Sequence, residues 1–398
     1  MILCEADLCT GCEACRNACP HDCIAMVPNA EGFLHPHVDT DRCTECGLCR
    51  RACPVLNERD YEHQPLPKAY ACWHNDDSVR RASSSGGAFS ALAETTFENG
   101  GLVFGAAYDD RLHVRHVRVD DPTRLDTLRR SKYVQSEIGL VFREIREALG
   151  SGTPVLFVGT PCQVAGLHGF LGTDCEGLTT CDLVCHGVPS PKVFARYIEW
   201  LDKTHAVRLT DLNFRDKRKG WEDYSSVACD SSGHDTALVG EENSYFNGYN
   251  MHMFLRESCY SCRFKGFPRP GDLTLGDYWG IGKQTPFPHD REKREGISLI
   301  LVNSQKGEAF LLERCRQRCT FIERDLQEAI DGNAPLHASV PRHPRRDEFF
   351  RDLDSVEYGA LAQRYFRPPL KSRIRIIARE RLSARTLRFL RKVHGYVR

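Results

Sequence analysis

The sequence has no excess of either charge. Its 54 Lys and Arg face 54 Asp and Glu in 398 residues, so nothing global points to nucleic acid or to an acidic substrate. It has no run of 18 apolar residues, which excludes a membrane-spanning helix. No secretory leader stands ahead of the first cysteine motif, and a cytoplasmic protein is expected. No Gly-x-Gly-x-x-Gly follows an expected strand, so a Rossmann nicotinamide site is not supported. The sixteen histidines form no ligand-spaced cluster and none is assigned a role. Cysteine, by contrast, is abundant at twenty residues, and in a reducing compartment those thiols are available as ligands.

Their spacing is regular at the start of the chain. Cys9, Cys12, Cys15 and Cys19, followed by Pro20, recur as Cys43, Cys46, Cys49 and Cys53, followed by Pro54. Three thiols two residues apart can wrap one face of an iron-sulfur cube, and the fourth, three residues further on, is carried to the other cube. One 4Fe-4S cluster is therefore predicted on Cys9, Cys12, Cys15 and Cys53, and a second on Cys43, Cys46, Cys49 and Cys19. Tetrahedral zinc explains two such runs poorly, since it usually pairs two short hooks across a longer loop. Residues 1–57 resemble a bacterial-type two-cluster ferredoxin. Strands are expected at Met1 to Ala6 and Cys23 to Val27. The apolar content is small, so the clusters should replace much of the core, and the unit should be unfolded without iron.

The remaining ~340 residues can bury a substantial core, which makes the ferredoxin an appendage. Residues 58–67 are polar and contain two prolines, and they read as a linker. Residues 68–335 alternate short apolar strands, turns and helices, which predicts a mixed α/β domain. Residues 336–398 form a helical tail. From Arg364 to Arg398 it holds twelve Lys or Arg against Glu380 alone.

Three sites stand out in the second domain. Ser83, Ser84, Ser85, Gly86 and Gly87 open a helix, where converging backbone N–H groups suit a phosphate, although an ordinary capped loop has the same composition. Gly159, Thr160, Pro161, Cys162 and Gln163 form a strand-to-helix turn whose cysteine could be a nucleophile, a ligand or a buried thiol. Cys162, Cys185, Cys259 and Cys262 make a four-thiol set with Cys181 as a spare, and spacing does not separate a third 4Fe-4S cluster from a structural zinc. Cys4, Cys23, Cys72, Cys175, Cys229, Cys315 and Cys319 read as core or near-surface thiols.

The stretches Ser84 to Ala88, Ser131 to Ser136, Gly159 to Gln163, Cys185 to Pro191, Cys259 to Cys262 and Asp272 to Gly280 resemble, in the same order, the coenzyme F-420 hydrogenase/dehydrogenase beta subunit family. The resemblance covers residues 68 to 335. It implies an FAD-binding domain with its own 4Fe-4S cluster, exchanging electrons between flavin and the ferredoxin clusters. By the same resemblance Ser85, Gly86, Gly87, Lys132 and Thr160 would line the flavin, and Asp277 would meet its ribityl chain or ring. The implied activity is an oxidoreductase that accepts hydride from reduced coenzyme F-420 or a similar carrier and passes electrons singly to an acceptor protein or substrate. No side chain is assigned a catalytic role. A second reading is an electron-transfer or partner subunit without a substrate of its own, for example in cell-surface polysaccharide synthesis. The basic tail fits an anionic membrane at its inner face, a partner, or the domain's own surface.

Overall fold

The computed structural model describes residues 3–367 except 60, 62 and 64. In chain order its strands are β1 (Ile24–Pro28), β2 (Leu34–Val38), β3 (Lys68–His74), β4 (Leu102–Tyr108), β5 (Val114–Val119), β6 (Val155–Gly159), β7 (Leu178–Leu183), β8 (Leu209–Asp216), β9 (Ser225–Asp230), β10 (Asp235–Leu238), β11 (Leu273–Asp277), β12 (Ser298–Val302) and β13 (Cys319–Arg324). β1 and β2 pair in the cysteine-rich region, and β10-β9-β8 form a separate antiparallel sheet. The other eight make one mixed sheet in the order β13-β3-β12-β11-β7-β6-β4-β5. The protein is thus a mixed α/β fold behind a small cysteine-rich region.

Direction within the large sheet places the site. β4, β6, β7 and β11 are parallel, because a helix at Val141–Gly150 lies between β4 and β6 and another at Pro161–Leu171 between β6 and β7. β6 is buried at every position, as a strand covered on both faces requires. The carboxyl ends of such strands form a ligand edge. Thr160 and Cys162 follow β6 there, Cys185 follows β7, and Asp277 ends β11. β12 is antiparallel to both β11 and β3, so β3 also runs toward this edge and delivers the Ser83 to Gly87 loop to it.

The cysteine-rich region is packed into the second domain and is not the appendage that length suggests. Its two short helices, Ala14–Ala18 and Leu48–Ala52, lie against the Pro161–Leu171 helix. Two glycines there allow the approach: a Cβ on Gly169 would come 2.2 Å from the Ala52 carbonyl oxygen, and one on Gly166 would come 3.0 Å from Cys12 Sγ. Glu13 is buried and accepts the Ile138 N–H at 2.8 Å. Arg143 donates to the carbonyls of Asn17 (2.9 Å) and Cys19 (2.6 Å) at the end of the first short helix, where its charge complements the dipole.

Several local expectations fail. Residues 3 to 6 form bends and turns, not a strand, while β2, β10 and β13 have no counterpart in the sequence reading. Cys319 opens β13, where Cys-Thr-Phe-Ile suits a strand better than a helix end. Helices at Arg346–Asp352 and Tyr358–Tyr365 bury Phe349, Leu361 and Tyr365 in a core shared with the Pro191–His205 helix and the three-stranded sheet. The arginine-rich stretch from 368 onward, with the amphipathic helix expected in it, lies outside the described residues.

Candidate metal centres

Two cavities lie in the cysteine-rich region. Cys9, Cys12, Cys15 and Cys53 line one, together with Cys4, Met26 and Val55, around about 390 Å³ of space open to solvent. Cys19, Cys43, Cys46 and Cys49 line the other, with Cys23, Ile24 and Val38, around about 360 Å³. The local cause is a pair of five-residue helices. Each starts after a left-handed residue, Glu13 at φ 59° or Gly47 at φ 74°, and ends at the fourth cysteine of its run. The helix carries Cys19 and Cys53 away from their own triplets, and Pro20 and Pro54 stop it there.

Each cavity also holds a fifth thiol that spacing did not single out. Cys4 lines the first. Cys23 lines the second, its Sγ 3.3 Å from that of Cys19. The available signal was position alone, Cys23 being four residues beyond a ligand and at the edge of β1. The cavities differ in depth, since Cys9 and Cys12 are buried whereas Cys46 is exposed.

Cys162, Cys185, Cys259 and Cys262 come together at the carboxyl edge of the large sheet. Cys162 stands in the first turn of the Pro161–Leu171 helix, Cys185 two residues beyond β7, and Cys259 at the end of a 3-10 turn. Their thiols act electrostatically on one another. Burial pushes Cys162 up to about 11 and Cys259 up to about 12, and it raises Cys185 well above its ordinary value, so a metal group taking these sulfurs as thiolates would release protons. Gly187 has φ 120°, and a Cβ there would meet Leu255 at 2.8 Å. The loop carrying Cys262 is pinned by a buried ion pair, Arg269 Nη2 to Asp182 Oδ1 at 2.6 Å, with Arg269 also donating to the carbonyls of Phe264 and Leu183. Cys181 is elsewhere: it is fully buried within β7 among apolar residues of the core, with Asp182, Asp272 and Arg269 as the main charges acting on its sulfur. Among the described residues no three His, Cys, Asp or Glu side chains converge on a single-ion position.

The six residues expected to line a flavin share this edge but are largely engaged with the protein. Ser85 Oγ donates to the Ile297 carbonyl (2.8 Å), and the Gly86 N–H donates to Ser298 Oγ (3.0 Å). Gly86 is glycine because a Cβ would stand 2.3 Å from the Cys72 carbonyl oxygen, so its reason is strand packing and not a cradle. Gly87, at φ 93°, opens the Ala88–Glu98 helix. Thr160 Oγ1 lies 3.0 Å from Gln163 Oε1 and 3.2 Å from Cys162 Sγ. The Lys132 ammonium donates to the carbonyls of Thr127 (2.8 Å) and Arg129 (2.7 Å). Asp277 is held by Arg215 (3.1 Å) and by Trp221 Nε1 (2.8 Å).

The cations around the loop are what the sequence reading missed. Lys217 Nζ reaches the carbonyls of Ser85, Arg80 and Glu295, and Arg215 lies between the rings of Tyr224 (3.9 Å) and Trp279 (4.9 Å). Burial, helped by Arg130, pulls the Lys132 amine down to about 7; burial, helped by Arg80, does the same to Lys217. Arg215 Nε is buried without a partner among the described residues. The edge carries buried positive charge in excess of its own carboxylates, which fits an anionic group.

Residues 152–326 match the family described as the C terminus of the coenzyme F420 hydrogenase/dehydrogenase beta subunit, and residues 8–57 match the 4Fe-4S dicluster domain. A search of curated proteins finds no match. Among solved structures the chain is similar to one from the F420-reducing NiFe hydrogenase complex of Methanosarcina barkeri, at 15% identity and a TM-score of 0.43, over 77% of this chain and 94% of that one. Residues 8–57 are therefore a 4Fe-4S dicluster domain, and residues 152–326 are similar to the C terminus of the coenzyme F420 hydrogenase/dehydrogenase beta subunit.

Proposed function

We propose that this iron-sulfur protein is a flavin-dependent oxidoreductase with three 4Fe-4S clusters, the third held by Cys162, Cys185, Cys259 and Cys262. One observation carries the reading. Cys162 and Gly166 are one turn apart on the same helix, and Gly166 abuts Cys12, so the four-thiol set lies one helical turn from the first ferredoxin cavity. A structural zinc needs no such neighbour, whereas groups that exchange electrons do.

FAD, bound at the cationic edge, would supply the conversion between a two-electron hydride and single electrons. The chain's own residues do the rest. Lys132, Lys217 and Arg215 offer positive charge to a phosphate or to an anionic ring, and Asp277 with Trp221 fixes the Arg215 fork. From this edge inward to outward the thiol sets lie in the order Cys162, Cys9, Cys43, ending at exposed Cys46. The hydride carrier would be a deazaflavin of the coenzyme F-420 class or a relative of it, and the acceptor a protein meeting the Cys46 face.

Anaerobic purification with iron, sulfide, zinc and flavin measured on one sample tests this. About twelve iron atoms and one FAD per chain are expected. About eight iron, one zinc and no flavin would reduce the chain to an electron-transfer subunit whose second domain serves a partner, a reading that the engaged state of Ser85, Gly86 and Asp277 favours. The basic tail is proposed to contact a partner or an anionic membrane surface.

A further inference from the structure

Five arginines of the described chain are buried: Arg80, Arg215, Arg256, Arg269 and Arg346. Three of them have carboxylate partners, Arg215 with Asp277, Arg269 with Asp182 and Arg346 with Glu31. Arg80 bonds backbone carbonyls at the edge where an anionic cofactor is proposed. Arg256 is the other exception, and it stands between two thiol sets.

Its Nε donates to the Cys9 carbonyl (2.6 Å), its Nη1 to Oε1 of Gln135 (3.1 Å), and its Nη2 to the Leu34 carbonyl (2.9 Å) and Nε2 of His35 (3.2 Å). Burial and this guanidinium pull His35 down to about 4, so the imidazole is neutral and accepts. Gln135 in turn donates to the Thr10 carbonyl (3.0 Å), and Gly11 has no room for a Cβ because Arg256 Nη1 would stand 2.7 Å from it. The first ferredoxin loop is therefore wrapped around this side chain. On the other side the Arg256 carbonyl accepts the Cys259 N–H (2.9 Å), and the guanidinium charge acts on the sulfurs of Cys162 and Cys259. All its hydrogen-bond partners among the described residues are neutral.

A buried cation whose hydrogen-bond partners are all neutral is costly, and clusters bound by the neighbouring thiolates would supply negative charge on both sides of it. We propose that Arg256 is the shared counter-charge of two clusters, the one on Cys9, Cys12, Cys15 and Cys53 and the one on Cys162, Cys185, Cys259 and Cys262; for the second of these it rests on the function proposed above. A cube held by four thiolates is an anion, and reduction adds one more negative charge. A fixed cation beside it favours the reduced state and raises the reduction potential. Placed between two such anions, the same cation raises both potentials and offsets the cost of holding two negative groups close together. Arg256 touches no substrate and is a positioning residue acting through charge.

The test compares wild-type, Arg256→Gln and Arg256→Lys holoproteins by iron content and by anaerobic redox titration followed by electron paramagnetic resonance. The Gln protein should retain its iron. At a potential equal to the wild-type midpoint, the reduced-to-oxidised ratio of the Cys9 cluster should fall about tenfold, a displacement of about 59 mV for one electron. The Cys162 cluster should move the same way. The cluster on Cys43, Cys46, Cys49 and Cys19 serves as internal reference and should not move, and the Lys protein should stay near wild type. An unmoved Cys9 cluster, an equal shift of all clusters, or a Lys protein shifted as far as the Gln protein would overturn the proposal. Should the Gln protein fail to assemble, the Lys protein decides by the same criterion, since it lacks the fork but keeps the charge. If wild type carries only eight iron atoms, the third cluster falls, while the predicted shift of the Cys9 cluster still stands or falls separately.

Discussion

The eight motif cysteines, Cys9 to Cys19 and Cys43 to Cys53, and the set of Cys162, Cys185, Cys259 and Cys262 reach their places by opposite routes. In the first group the local chain does the positioning: a triplet running from a loop into one short helix, and a fourth cysteine delivered by that helix to the neighbouring cavity. In the second the sheet does it. Cys162 and Cys185 sit beyond the carboxyl ends of two adjacent parallel strands, and a loop tied by Arg269 and Asp182 brings Cys262 to meet them. The ferredoxin region has little core of its own, chiefly Leu3, Ile24 and Val38 with its sulfurs, whereas the second set hangs from strands buried at nearly every position. One site makes its fold, and the other is made by a fold.

Iron removal should expose that difference most sharply. After anaerobic chelation, residues 3 to 57 are expected to lose structure and become protease-sensitive, while the large sheet melts cooperatively as before. Limited proteolysis with mass analysis, beside calorimetry, reads both. Retained protection of the ferredoxin region would mean that its packing on the Pro161–Leu171 helix holds it without metal, and the comparison would break.

The next largest effect separates two cysteines of one strand and its extension. Cys185→Ser should remove the four iron atoms of the third set, while Cys181→Ser should leave iron unchanged and cost about 1–3 kcal/mol from a hydroxyl placed in an apolar core. Equal iron loss in both would place Cys181 among the ligands, contrary to its position in β7.

These cases show what was legible in the sequence. The triplet spacing is a local rule, so the crossed lining of the two cavities follows from counting residues. The third set was legible only as four cysteines near turns, because what joins them is the parallel pairing of β6 with β7 and of β7 with β11. Cys181 and Cys185 differ by four residues, and only the end of β7 between them decides which faces the edge. Arg256, Arg215 and Lys217 carried no signal at all, being ordinary basic residues in loops and strands until Arg256 meets the first cysteine loop and the other two meet the edge of the large sheet. Gly166 and Gly169 were not singled out either, yet each is the footprint of a neighbouring backbone or sulfur.

That footprint gives a smaller, graded prediction. Gly169→Leu should cost about 3 kcal/mol, at the upper end for overpacking, because its Cβ meets a carbonyl oxygen that cannot move without the Leu48–Ala52 helix. Gly166→Ala meets Cys12 at 3.0 Å and should cost less. Chemical denaturation of the holoprotein measures both. If Gly169→Leu is neutral, the ferredoxin domain is held loosely, and the short path from Cys12 to Cys162 is not a fixed feature.

The last comparison concerns the cationic edge, where Lys132 and Lys217 are both pulled down to about 7. In the unfolded chain a lysine titrates near about 10.4. Between these values the unfolded chain holds a proton that the folded chain has released, so stability rises with pH from about 7 toward 10.4. Below pH 7 both states are charged, and the penalty for keeping the two ammonium groups among Arg80, Arg130 and Arg215 is constant. An anion at the edge raises both folded values and flattens the slope. The part of the pH dependence that Lys217→Met removes between pH 7 and 10 should therefore be a climb in flavin-free protein and a smaller climb with FAD present. A slope that FAD leaves unchanged would mean that the two amines are relieved by something other than the cofactor, and the anionic group would have to be sought away from the Ser83 to Gly87 loop.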